Sequence, residues 1–142
     1  MEKNVLITIR GKQQEGEPIE IIVPGEHYLR NGKHYLLYEE IIDEDGGISK
    51  NRVKVGKDVL EVSKQGVATT QMVFCKGKEV TANYHTPYGL FLMSLRTKEL
   101  EIEETEDRLQ IRVRYVLELN GDAGEDCVLD MTVVNHNSNW SI

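Results

Sequence analysis

The feature that most constrains this chain is a long alternation of apolar and polar side chains near its C-terminal end. Leu109, Ile111, Val113, Tyr115, Leu117 and Leu119 alternate with Arg108, Gln110, Arg112, Arg114, Val116 and Glu118. Successive side chains of a strand point to opposite faces, so this segment reads as a strand with one face in a core and one in water. A helix would scatter the same apolar residues around its circumference. Cys127, Leu129, Met131 and Val133 repeat the step against Val128, Asp130, Thr132 and Val134. Shorter alternating or β-branched runs occupy 5–9, 19–23, 34–42, 48–55, 59–64, 67–75, 80–86, 89–97 and 99–105. The last of these is rich in helix formers, yet Leu100 and Ile102 keep the two-residue step. No stretch combines a helical period with capping residues.

Turn signals separate the runs at hairpin spacing. Asn31-Gly32 is the strongest, because a type I′ turn needs positive φ at both central residues. Asp45-Gly46-Gly47, Lys57-Asp58, Gln65-Gly66, Lys76-Gly77 and Asn120-Gly121-Asp122 mark others. About ten short strands joined by tight turns predict an antiparallel meander, and closing it into a barrel hides its edges. The expectation is therefore an all-β chain: one domain over 1–142 forming a single antiparallel up-and-down barrel, which resembles the calycin architecture. A two-sheet sandwich is the alternative. A chain of 142 residues is long enough to bury a real core.

Charge and motifs exclude several functions. Lys plus Arg is 17 and Asp plus Glu is 24, a net charge of −7. Phosphate binding is driven by positive charge, so nucleic acid is not expected as a partner. The basic stripe of Lys50, Arg52 and Lys54, extended by Lys57, has no interleaved aromatic residues and reads as a solvated face that keeps a strand from pairing with another molecule. The apolar-rich stretch 88–95 falls far short of the roughly 20 residues of a membrane helix, so no membrane partner is expected. No apolar signal core follows Met1-Glu2-Lys3-Asn4, and the expected location is the cytoplasm. Cys75 and Cys127 lie far apart without a CxxC pair, which predicts two reduced thiols. His27, His34, His85 and His136 lack metal-ligand spacing, so neither a metal nor a cofactor is expected. The run Asp43-Glu44-Asp45-Gly46-Gly47 resembles a calcium loop only faintly: position 54 is Lys where a bidentate Glu is needed, and the run reads as an acidic hairpin tip. Phosphate loops, GxSxG elbows and HExxH helices do not occur.

Several short motifs stand in a characteristic order: Tyr38-Glu39-Glu40, Val53-Lys54-Val55, Gly66 ahead of Met72-Val73-Phe74, then Tyr84-His85-Thr86-Pro87-Tyr88-Gly89, Thr97, and the alternation of 109–119. In this order and spacing, over nearly its whole length, the chain resembles the YwiB-like family. The resemblance implies a small bacterial protein with a lipocalin-like β-barrel, and it supplies no activity. In one place the chain departs from the family pattern, with Lys64 where an arginine is expected before the glycine of the turn between the fifth and sixth strands. A lysine does not reproduce a bidentate arginine contact.

Polar residues that share a strand face with apolar ones are the candidate site. By parity Glu40 lies with Leu36 and Tyr38, Lys64 with Leu60 and Val62, and Tyr84 and Thr86 with Val80 and Ala82. If these faces turn inward, Tyr38, Glu40, Lys64, Tyr84, Thr86 and Tyr115 line the barrel interior or its mouth. There they either anchor a small ligand bearing a carboxylate or hydroxyl, or satisfy one another. Glu40 and Lys64 are expected to join one network with Tyr38 or Tyr84. His85 points opposite to Tyr84 and is expected outside. Three functions fit these residues: a non-enzymatic barrel holding a small apolar or amphipathic ligand; an interaction or dimerising module using Val116, Val128 and Val134 on the outer faces; and an enzyme of unknown class around Tyr84, His85 and Glu40. Analogy to calycin barrels, which hold small ligands, puts the first ahead of the other two.

Overall fold

A computed structural model of the chain describes residues 1–41, 47–66 and 68–136. Among these residues ten strands form: β1 (Asn4–Gln13), β2 (Ile19–Arg30), β3 (Lys33–Ile41), β4 (Ile48–Val55), β5 (Val59–Gln65), β6 (Thr69–Cys75), β7 (Glu79–Thr86), β8 (Gly89–Glu104), β9 (Arg108–Leu119) and β10 (Glu125–Asn135). Each pairs antiparallel with its sequence neighbour, and β1 pairs with β10, so the sheet closes into an up-and-down barrel. The expected strand ends at Ile42 and Val67 and the acidic tip at 43–46 lie outside the described residues.

Local chemistry explains most of the course. Asn31 and Gly32 have φ of 53° and 77°, and Asn120 and Gly121 repeat these values. Both pairs are thus the left-handed hairpin turns their residue types suit, with a twist that matches the flanking strands. The runs at 89–97 and 99–105 prove to be one strand, β8, with a register shift between Thr97 and Glu99. Lys98 is the extra residue of this bulge, and its amine reaches Asp126 at 2.8 Å. Thr97 stays inside, its Oγ1 buried without a hydrogen-bond partner among the described residues.

β2 runs past the expected end at Val23 because it changes partners. Ile19 to Glu26 pair with β1, whereas Glu26 to Arg30 pair with β3. Pro24 lies where no β3 ladder requires its missing N–H. Gly25 permits the crossing: a Cβ there would stand 2.7 Å from Ile7 Cδ1 and 2.8 Å from the Leu37 carbonyl oxygen.

The barrel has two unlike halves. The chain ends of β1 and β10 and the turns at 31–32, 56–58, 76–78 and 105–107 lie at one end, and the other connections lie at the opposite end. The strand halves near the first end carry fully buried Val5, Ile7, Leu36, Val53, Val55, Leu60, Phe74, Leu109, Ile111, Val113, Met131 and Val133. Each such side chain contributes about 1.5–3 kcal/mol of hydrophobic stabilisation. Met1 packs on this core, and the His27 amide donates to the Lys3 carbonyl at 2.8 Å. Buried His27 and His34 meet Nε2 to Nδ1 at 2.8 Å, and His34 Nε2 stands 3.1 Å from Glu104 Oε2. This polar chain crosses the closed end from β2 through β3 to β8.

The outer apolar face differs from expectation. Val116 is buried rather than exposed, because the connection after β9 folds back over it; a Cβ at Gly124 would stand 2.5 Å from Val116 Cγ1. Val128 and Val134 are half-buried. The exposed apolar residues include Ile19, Ile22, Ile41 and Ile48 at the open half.

Candidate functional site

At the open half the inward faces turn polar. Pairing places Tyr38 opposite Asn51, Asn51 opposite Lys64, and Lys64 opposite Thr70, in one row across β3 to β6. Glu40 stands opposite Ser49 one step nearer the rim. Asn51 Nδ2 donates to Glu40 Oε1 at 2.6 Å, and Lys64 Nζ approaches the same oxygen at 3.3 Å. Ser49 Oγ donates to Asn51 Oδ1 at 2.7 Å. Tyr38 joins through Asn51; burial first, and the Glu40 carboxylate second, push its phenol well above the usual tyrosine range. The Lys64 side chain is 41% exposed against 17% for Glu40, so the pair straddles the rim, with the carboxylate inside and the amine at the water. Glu40 and Lys64 thus form the expected network, with Tyr38 rather than Tyr84.

The opposite wall comes from β9 and β10. Cys127 pairs opposite Tyr115 in register, and the Tyr115 ring meets Phe74 edge-on at 4.8 Å. Burial pushes both the Tyr115 phenol and the Cys127 thiol up, so the thiol is held as SH and is no activated nucleophile. A cavity of about 450 Å³ crosses the mouth between these walls, lined by Gly11, Gln13, Gly16, Ile19, Lys64, Tyr115 and Cys127 among others. Its chemistry is mixed: the Lys64 amine on one side, Ile19 with a neutral phenol and thiol on the other, and Lys12 and Glu17 also in the lining.

The remaining candidates serve other places. Thr86 Oγ1 donates to the Gly89 carbonyl at 3.0 Å and accepts from the Tyr88 amide at 3.1 Å, which closes the β7–β8 turn. Tyr84 is half-buried and packs against the core from the inner face of β7, as parity predicts, its ring 6.4 Å from Phe91. His85 is exposed on the opposite face of β7, as parity predicts, so Tyr84, His85 and Glu40 do not converge on one site. Asn51 and Ser49 escaped the sequence reading, although parity places them opposite the basic stripe of β4 and thus inside. His27 lies beyond the expected end of β2 at Val23, which hides its approach to His34 at the start of the run 34–42; the two-residue turn at Asn31-Gly32 is the signal that brings the two together. No group of three His, Cys, Asp or Glu among the described residues is placed to hold a metal ion. No helix among them is long and apolar enough to cross a membrane.

The sequence matches a known family, described as Domain of unknown function (DUF1934), over residues 5–131. The chain belongs to the DUF1934 family. It is also similar to a solved structure, the crystal structure of ywiB protein from Bacillus subtilis, with a TM-score of 0.79 and 22% identity. That match covers 94% of this chain and 91% of the other, and at this identity it speaks for the fold. No curated protein matches the chain.

Proposed function

We propose that the chain is a non-enzymatic, calycin-like barrel of the cytoplasm that takes a small amphipathic ligand at its open mouth. The observation that carries this reading is the cavity of about 450 Å³ bounded by Lys64 on one wall and Tyr115 and Cys127 on the other. Small-molecule sites are concave and largely apolar with a few placed polar groups, and the mouths of barrels are a common position for them. The closed half is filled by side chains, so the ligand rests in the mouth, its acidic head at Lys64 and its apolar body against Ile19 and Tyr115.

Native mass spectrometry of freshly expressed protein, followed by calorimetric titration with dodecanoate, tests this reading. Binding that weakens in Lys64→Met and Tyr115→Ala supports it. Absence of binding, or binding indifferent to both substitutions, overturns it. A second reading, a homodimer, is favoured by Ile19, Ile22, Ile41 and Ile48, which are 50% to 81% exposed at the open half. The same mass spectrum reports the oligomeric state.

A further inference from the structure

We propose that the outer face of β4 to β7 binds a phosphorylated sugar, at a site separate from the mouth. A groove of about 500 Å³ lies on this face, and Lys50, Arg52, Gln65, Gln71, Asn83 and His85 line it. The volume falls within the range of about 300–1,000 Å³ typical of small-molecule sites.

The charge of the lining is the first argument. The chain has 24 Asp and Glu against 17 Lys and Arg, yet no described acidic residue lines the groove. Lys50 and Arg52 have no ion pair or side-chain hydrogen bond among the described residues. Glu39 stands opposite Lys50 in the ladder, outside the lining and without an ion pair to it. The contrast with Lys54, the third member of the same stripe, is direct: its amine is 3.6 Å from Glu61 and lies over the Tyr35 ring at 5.8 Å. Among the described residues the stripe therefore divides into one paired cation and two unpaired ones.

The register supplies the second argument. Arg52, Ser63 and Gln71 stand opposite one another on consecutive strands, and so do Lys50, Gln65, Thr69 and His85. Neighbouring strands are about 4.8 Å apart, so the two cations abut a set of side-chain donors and acceptors on the next strands, which can bond sugar hydroxyls. A phosphate monoester carries about −1.5 to −2 charges near neutrality, which two cations balance, and the Arg52 fork suits two of its oxygens. A single-stranded nucleic acid fits less well, because no Phe, Tyr or Trp lines the groove to stack a base.

Titration of isotope-labelled protein with glucose 6-phosphate, followed by amide chemical shifts, tests the proposal. The expected result is saturable shifts confined to the groove residues. Arg52→Gln and Lys50→Gln are each expected to weaken binding about tenfold, while Lys54→Gln leaves it unchanged. Unphosphorylated glucose is expected to bind at least about tenfold more weakly. These side chains are exposed, and the shift pattern of each variant verifies its fold. The proposal is overturned by any of four results: no saturation at millimolar ligand; equal binding of glucose; equal weakening by Lys54→Gln, which means diffuse attraction to a charged stripe; or displacement of the sugar phosphate by a tighter-binding RNA oligonucleotide.

Discussion

The two ends of the barrel solve opposite problems with the same strands. At the closed end inward positions are mostly aliphatic or aromatic and fully buried, and the polar groups His27, His34 and Glu104 bond to one another across the end. At the open end the same parity delivers Glu40, Asn51, Ser49, Lys64 and Thr70, a row that reaches water through a lysine. An inward position therefore means different things at different depths. Where neighbouring strands and the N-terminal residues exclude water, an unpaired polar group is costly and apolar packing stabilises most. Near the rim a charge needs only one good partner, because its other contacts are with solvent.

The comparison breaks most visibly at Phe74. Its ring is fully buried in the closed half, so Phe74→Ala is expected to destabilise the fold by about 3–5 kcal/mol, measured by urea unfolding. A loss of about 1 kcal/mol or less would mean that the closed half is loosely filled. Glu40→Ala comes next, at about 1–3 kcal/mol, because it strips Asn51 of the acceptor for its 2.6 Å bond inside the rim. Lys64→Met is expected to cost only about 0–1 kcal/mol, since the amine is largely wet and 3.3 Å from its partner. If Lys64→Met proved as costly as Glu40→Ala, the rim would be drier than the exposure of Lys64 indicates.

A pH effect sharpens the same contrast at the closed end. Burial first, then His34 and the N-terminal amine, hold the His27 pKa below its ordinary value of 6.5, with Glu104 opposing them. The unfolded chain then binds the proton more readily than the folded one. Stability contributed by neutral His27 is present above 6.5 and falls as the pH drops below it. Unfolding followed across this window is expected to show the fall in the natural chain and a flatter profile in His27→Gln. An identical slope in both would assign the acid sensitivity to other groups.

Much of the fold was legible because it rests on local rules. The two-residue step of 109–119 and the Asn-Gly turns specify strand, face and hairpin without any distant partner, and parity puts Glu40 of β3 and Lys64 of β5 on the same inward face on either side of β4. Elements that depend on distant neighbours were not legible. The bulge at Lys98 makes one strand look like two, and a Pro-Gly pair within β2 looks like a strand end although β2 there passes from β1 to β3.

By itself, then, the sequence determined which residues alternate, where the chain reverses, and which side chains share a face, since each depends on residues adjacent in the chain or joined by a tight turn. Only the tertiary structure decided how deep each inward position lies, that Val116 is roofed over at Gly124, that His27 and His34 close one end against Glu104, and that Lys54 is paired while Lys50 and Arg52 have no partner among the described residues. Depth and pairing are set by loops and strands far away in sequence, and closure of the barrel is what brings them to these residues.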